Sequence, residues 1–515
     1  MPQADPYSLP EDLFSADAVR AIDRFVIDQQ GGDGFELMQA AAASVFRRLV
    51  HRWSDPGSIL VLCGAGNNGG DGYLVAAAAR RHGLAVQCLA VAPVDKLAGD
   101  ARRAWQKASR DGVSVLDLQA LSGAERDEMF ASAGLIVDAM LGTGVEGAPR
   151  EPFGEVIRRC QVTGAPVVAV DLPSGLNATT GAAAGDVIRA DLTVTFIGLK
   201  AGLLTGQGPE ACGDLCFESL GTGGEVEHAG QAPLAKRSDW MSLQAQLPRR
   251  PVTAHKGRFG HVLVVAGDRG FGGAGILAAE AAARSGAGLV TLATRPEHAA
   301  PALARCPSMM VQGVIHGSEL APLLGAADVI VCGPGIGQGA WGQQMLQQVV
   351  ASGKPRVMDA DALNLMASRV AVQDGGHILT PHPGEAARLL GCPVADIETD
   401  RLRAATKLRQ VYGGTIVLKG AGTVVASAEH LPNIVSGSNP GMATGGMGDV
   451  LSGILGAFYG QFSDPGLAAR MGVAVHLAAA DQVASHKGYM GLLPMDVIDA
   501  LPQVLAEAEQ RRVNH

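Results

Sequence analysis

Aromatic residues make up only 4% of this chain and charged residues only 18%. So few aromatic rings leave little to stack on bases, which argues against a single-stranded nucleic-acid binder. The 41 basic residues are outnumbered by 50 acidic ones, for a net charge of −9, so neither nucleic acid nor an anionic membrane is expected as partner. No apolar run reaches the roughly 20 residues needed to cross a bilayer. The N-terminal "MPQADPYSLPEDLFSADAVRAIDR" lacks both a basic n-region and an apolar h-region. Also missing are a paired CxxC, a histidine cluster of zinc type, and the GxxxxGK[ST] of P-loop kinases. The eight cysteines are scattered apart from Cys212 and Cys216, and several, such as Cys63 in "SILVLCGAG", read as buried reduced thiols. A cytoplasmic protein is the expectation.

What the chain does have is length, apolar residues and glycine. At 515 residues and 47% hydrophobic it is globular, and at roughly 150 residues per domain it holds two to four domains. "SADAVRAIDRFVIDQQ", with Ser15 as N-cap, and "FELMQAAAASVFRRLVHRW" read as helices. Short apolar runs follow: "SILVLCG", "AVQCLAV", "GLIVDAM", "PVVAVDL" and "LTVTFIG". Separated by helix-compatible stretches, they predict a parallel sheet buried on both faces. Residues 222–250 are polar and broken, without a strand signal, and mark the domain boundary. The rhythm then restarts with "HVLVVAGD", "LVTLAT", "DVIVCGPG", "PRVMDADAL", "HILTPHP" and "TIVLKGAG". Two α/β domains are predicted, each a sheet with helices on both faces.

Ligands of such sheets sit beyond the carboxyl ends of the strands. The first such end, "VLCGAGNNGGDGYLVAAAAR", contains a formal G-x-G-x-x-G at Gly64, Gly66 and Gly69. The next strand, however, ends "CLAVAPVDK", with no acid to hold a ribose. Asn67, Asn68 and Asp71 in the turn are oxygen donors suited to an alkali-type cation or to ligand hydroxyls. A plain Gly/Asn turn with local Asx bonds is the alternative. "LIVDAMLGTGVEGAPR" ends a strand on Asp138 before the glycine-rich loop 142–147, and "VVAVDLPSGLNATTG" ends one on Asp171, with Pro173, Ser174 and Gly175 behind it. Either acid could simply cap a helix. Three polar ends on neighbouring strands favour a shared site of Asn68, Asp138, Asp171 and Ser174.

In the second half "GPGIGQG", "MDADALNL", "LTPHPGEAARLLG", "VLKGAGTVV" and "TGGMGDVLSG" occur in that order. A Gly-x-Gly-Asp turn opening a helix offers amides for a transferring phosphoryl group and a carboxylate to take a proton. "KGAGT" at a strand end can wrap a nucleotide, and Pro381 and Pro383 present His382 and Glu385. A structural turn, a capped core histidine, and Asp449 merely capping a helix that begins at Val450 are the alternatives.

"GAGNNGGDGYLVAA", "VDAMLGTG", "AVDLPSGLNATTG" and "TFIGLKAGL" together resemble the NAD(P)H-hydrate epimerase domain, over roughly residues 15 to 220. The resemblance implies a Rossmann-like domain, residues 1–225, that holds the hydrated dinucleotide. Its contacts would be Asn67, Asn68, Gly69, Gly70 and Asp71, then Gly142, Thr143, Gly144, Val145, Glu146, Gly147 and Ala148, with Asp171 at the reacting end. It further implies K⁺ on Asn68, Asp138 and Ser174. The family's "DTG" reads Thr179-Thr180-Gly181 here, a peripheral departure.

Residues 235–515 are similar to the ribokinase-like superfamily and, within it, to NAD(P)H-hydrate dehydratases. The carriers are "HKGRFGHVLVVAGDRGFGGAGILAAEAAARSGAGLVTLAT", "HPGE" and "GGMGD". The resemblance implies hydrate contacts at Ala274, Gly335, His382 and Asp449. It implies nucleotide contacts at Lys419, Gly420, Ala421, Gly422, Thr423 and Gly448. Asp449 would be the general base and the 445–448 amides the anion hole, with Mg²⁺ and ADP as the other reactants. The implied substrates are NADHX and NADPHX, and a homo-oligomer is the expectation. The whole is thus two three-layer α/β/α domains, Rossmann-like and then ribokinase-like. A kinase of a small alcohol or vitamin, with an N-terminal ligand-binding module, is the rival reading.

Overall fold

The computed structural model describes residues 9–513 except 30–32, 145, 373–374, 429 and 463. The chain divides into two compact units between Lys236 and Arg237.

The sheet of the first unit runs Ser114–Asp117, Val86–Ala90, Ile59–Cys63, Leu135–Ala139, Val167–Val170, Leu192–Phe196, Asp214–Glu218. All six pairings are parallel. The order reverses between Ile59–Cys63 and Leu135–Ala139, and loops leaving such a switch point diverge to open a crevice. Successive residues point to opposite faces, and here both faces are covered. Val61, Cys63 and Val137 meet the helices Gly34–Arg52 and Asn67–Arg81, while Leu60, Leu62 and Ile136 meet Phe130, Ile157 and Cys160 on the other side. Double burial is why these strands read as unbroken apolar runs. The outermost strands, Ser114–Asp117 and Asp214–Glu218, are partly exposed and polar, so no apolar run announced them.

The second unit repeats the plan. Its order is Met310–Gly313, Leu289–Thr294, His261–Val265, Val329–Cys332, Arg356–Met358, His377–Leu379, Thr415–Leu418, Thr423–Ala426, Asn433–Val435. Pairing is parallel as far as Thr415–Leu418 and antiparallel over the last two strands. The switch point lies between His261–Val265 and Val329–Cys332. Helix Met447–Tyr459 packs so closely on Gly272–Arg284 that a Cβ on Gly453 would stand 2.0 Å from the Ala278 carbonyl oxygen.

Residues 222–250 correct the sequence reading, which found no strand signal there. They contain the helices Gly223–His228 and Trp240–Leu243 and the strand Ala235–Ser238. The strand's polar residues are satisfied by tertiary partners: Ser238 Oγ donates to Asn433 Oδ1 at 2.6 Å, and the Ser436 amide donates to the Ser238 carbonyl at 2.9 Å. Nothing in "AKRS" could announce such bonds. Among the described residues no helix is long and apolar enough to cross a membrane.

Candidate active sites

In the first unit, the strand Ile59–Cys63 turns directly into the helix Asn67–Arg81, whose N-cap is Gly66. The turn demands glycine, because a Cβ on Gly64 would lie 1.9 Å from the Met140 carbonyl oxygen. This close approach brings the loop after Leu135–Ala139 alongside and leaves a cleft of about 530 Å³. Asn67, Asn68, Asp71, Gly142, Thr143, Gly144 and Asp171 line it, all expected from the sequence. Gly69 and Gly70 are buried within the helix, and Glu146, Gly147 and Ala148 are not among the lining residues. Val145 lies outside the described residues.

Asp138 is fully buried beneath the cleft. Its Oδ1 accepts from the Ser174 hydroxyl at 2.6 Å and the Met140 amide at 3.2 Å, and its Oδ2 from the Ser174 amide at 2.8 Å. Burial nevertheless pushes its carboxyl up to about 6. Asp138 and Ser174 are thus joined directly. Asn68 meets the same loop, donating from Nδ2 to the Leu141 carbonyl at 3.1 Å, and its Oδ1 is buried with no hydrogen-bond partner. An orphaned amide oxygen is what a weakly held monovalent cation would satisfy.

Asp171 closes its strand at φ +64°, a left-handed conformation that costs a non-glycine residue roughly 1–3 kcal/mol. It is no helix cap. Its Oδ1 accepts from the Thr195 hydroxyl at 3.1 Å and the Phe196 amide at 3.2 Å, and is ion-paired with Lys200. Lys200 and Asp23 also line the cleft, and sequence reasoning gave neither a role. Burial raises Asp23 to about 6 and Asp71 well above the carboxylate range, with Asp171 adding to both and Lys200 opposing. The lysine in the otherwise apolar "TFIGLKAGL" was the available signal. Asp23, on the amphipathic helix Ala16–Gln29, carried none.

In the second unit, Met447–Tyr459 starts from Gly446 at φ +98°. Asp449 therefore sits in the first turn and does not cap a helix beginning at Val450. Burial, reinforced by Asp359 and opposed by Lys419, pushes its carboxyl up to about 7. Asp359, quoted in "MDADALNL" but assigned no role, is the hub. Lys419 Nζ donates to its Oδ1 at 2.6 Å and Ser452 Oγ to its Oδ2 at 2.8 Å. Burial alone would lower the Lys419 ammonium, but Asp359 and Glu385 (3.8 Å away) raise it. A Cβ on Gly448 would lie 3.3 Å from Asp359 Oδ2 and 3.4 Å from Lys419 Nζ, so Gly448, Lys419 and Asp359 meet.

His382 is no core histidine. It is half-exposed and caps the helix Pro383–Leu390, its Nδ1 accepting from the Gly384 amide at 3.0 Å while the His382 amide donates to Glu385 Oε2 at 2.8 Å. Burial lifts Glu385 to about 7. Residues 420–422 form the turn of an antiparallel hairpin, braced by Arg401 donating to the Leu418 and Lys419 carbonyls. Gly335, at φ +58°, would carry a Cβ 3.2 Å from that of Ala274, which brings those two together beside Phe271. Among the described residues no group of three or more His, Cys, Asp or Glu is arranged to hold a metal. Asp359 is occupied on both oxygens, so a divalent ion would depend on nucleotide phosphates and water for most of its ligands.

Comparison with known proteins follows the same division. The family model described as YjeF-related protein N-terminus matches residues 34–202, and that described as NAD(P)H-hydrate dehydratase matches 262–503. The bifunctional NAD(P)H-hydrate repair enzyme Nnr of Escherichia coli (strain K12) is 46% identical over 507 residues, covering 97% of this chain and 95% of its own. Its namesake from Coxiella burnetii is 40% identical, covering 95% and 98%. Among solved structures, the ADP/ATP-dependent NAD(P)H-hydrate dehydratase from Bacillus subtilis, co-crystallised with ATP/Mg²⁺, is 29% identical. It covers 52% of this chain and 96% of its own, with a TM-score of 0.48.

Proposed function

The chain belongs to the bifunctional NAD(P)H-hydrate repair enzymes, and on that premise we propose how its two units divide the work. Water added across the 5,6 double bond of a dihydronicotinamide leaves a hydroxyl on C6 and a cofactor unable to transfer hydride. The first unit interconverts the R and S hydrates in the cleft of Asn68, Asp71 and Asp171. The second removes water from the S form. Hydroxide is a poor leaving group, so a nucleotide first phosphorylates the hydroxyl; the ring nitrogen's lone pair then expels phosphate, and loss of a proton from C5 restores the 5,6 double bond.

One observation carries the assignment of the second site. Asp449 stands in the first helical turn, beside amides that have no intrahelical acceptor, with its carboxyl at about 7. A carboxyl so placed accepts the hydroxyl proton while the 445–448 amides receive the transferring phosphoryl group. Hydrate would contact Ala274, Gly335, His382 and Asp449, and nucleotide Lys419 to Thr423 and Gly448. Mg²⁺, if held with the nucleotide phosphates, would supply charge neutralisation, and we take ADP as the donor. K⁺ in the first unit would rest on Asn68, Asp138 and Ser174, filling the vacant coordination of Asn68 Oδ1. Eight free cysteines support a cytoplasmic setting.

The test uses the whole chain with chemically hydrated NADH and either ADP or ATP. Recovery of NADH absorbance that needs both protein and nucleotide is the expected result. No recovery of NADH, with a stable phosphate ester formed when a small alcohol is offered in place of the hydrate, would instead identify a kinase of another alcohol.

A further inference from the structure

Two adjacent strands of the first unit end in the same unusual way. Asp171, after Val167–Val170, has φ +64°, and the Leu172 amide donates back to the Val170 carbonyl at 2.7 Å. Ile197, after Leu192–Phe196, has φ +60°, and the Gly198 amide donates back to the Phe196 carbonyl at 2.6 Å. Such tight turns at non-glycine residues persist only where their surroundings over-determine them. Lys200 is what lies between them. It is 1% exposed, and its ammonium has three donors and three acceptors: Asp171 Oδ1, Thr195 Oγ1 at 3.0 Å and the Phe196 carbonyl at 3.3 Å. With every hydrogen engaged, it has none to offer a ligand. Asp171 Oδ1 is filled likewise, by Lys200, the Thr195 hydroxyl and the Phe196 amide. Among the described residues no donor bonds Oδ2, although Asp171 borders the cleft.

We propose that Lys200 is a positioning residue of the epimerase site, which by locking Oδ1 of Asp171 presents Oδ2 alone to the reacting end of the hydrate. The proposal rests on the reading that Asp171 contacts the hydrate. In this role Lys200 has no hydrogen left for substrate, and its hydrogen bonds reach the reacting end through one carboxylate, that of Asp171. Misplacing a catalytic group by about 1 Å costs roughly 10²-fold, so the loss belongs in kcat rather than KM.

The full chain carrying Lys200→Ala is the principal test, with dehydration of the S hydrate as internal control. Epimerisation kcat should fall roughly 10²-fold at little-changed KM. Ethylammonium, filling the space left, should restore part of it, which a merely structural defect would not allow. Thr195→Val keeps the charge but removes one Oδ1 donor and one lysine acceptor, and should lower kcat less. Unchanged kcat, or a loss confined to KM, overturns the proposal. If Lys200→Ala does not fold, judged by near-ultraviolet circular dichroism, Thr195→Val decides alone, and a normal kcat there overturns it. Asp171→Asn separates the two levels. Full epimerisation by that variant defeats the reading of Asp171 itself, whereas an inactive Asp171→Asn beside fully active Lys200 and Thr195 variants defeats only the role of Lys200.

Discussion

At the scale of single residues, the second site is governed by how one carboxylate is surrounded. Asp449 faces Asp359 and Asp361, which raise its carboxyl, and Lys419, which lowers it, with burial the largest effect. A base raised to about 7 is competent above that pH and neutral below it. Dehydration should therefore fall about tenfold per pH unit as pH drops below about 7. A profile flat from neutrality down to the ordinary carboxylate range would exclude Asp449 as the base. Asp449→Asn keeps the shape without the basicity and should slow dehydration by roughly 10²–10⁴-fold. Nucleotide affinity should change little and epimerisation not at all. Because Gly446 caps the helix, preserved activity in Asp449→Asn could not be credited to asparagine as a cap. Asp359→Asn removes a charge that raises Asp449 and frees Lys419, which lowers it. Both effects have the same sign, so the acid limb of the pH–rate profile should move to lower pH; an unmoved limb would separate Asp359 from the base.

At the scale of elements, both sites depend on close packing at the carboxyl ends of strands and the start of helices. Asp138 ties the end of Leu135–Ala139 to the loop after Val167–Val170 through two hydrogen bonds from Ser174, and a third, from the Met140 amide, holds its own turn. Asp138→Ala leaves those donors unpaired, at a cost on the order of 1–3 kcal/mol each. It should abolish epimerisation and spare dehydration. Loss of both activities with an intact circular dichroism spectrum would mean that this carboxylate does not belong to the epimerase alone. In the second unit, the helix of Asp449 lies against the helix of Ala274 at Gly453, where an added methyl would strike the Ala278 carbonyl. Gly453→Ala should cost about 1–3 kcal/mol or more and reduce dehydration, read as a lower urea midpoint for that unit. An unchanged midpoint would show that the helix pair gives way freely.

At the scale of the whole molecule, the division between Lys236 and Arg237 predicts separable activities. Residues 235–515, which keep the strand Ala235–Ser238 whole, should dehydrate S hydrate at the full initial rate and leave R hydrate untouched at first. Spontaneous interconversion blurs long incubations, so initial rates decide. Equal initial rates on both epimers would end the division of labour.

The doubly wound plan of both units was legible because parallel strands covered on both faces must be apolar throughout, as in "SILVLCG" and "DVIVCGPG". The glycine-rich strand ends were legible for a related reason. At Gly64 the backbone approaches another chain segment too closely for a side chain, and at Gly446 the helix opens at positive φ. Edge strands such as Asp214–Glu218, and the polar strand Ala235–Ser238, left no such trace, since exposure or a distant partner removes the need for apolar residues. Local sequence placed Asp171 and Asp449 at strand and helix ends, where chemistry is found. Only the tertiary structure decided which groups surround them. Asp23, Lys200 and Asp359 act across separations that no local spacing encodes, by burial and by charges brought close from other strands. A carboxyl near 7, or an oxygen locked by a buried ammonium, exists only once the chain has folded and excluded water from around it.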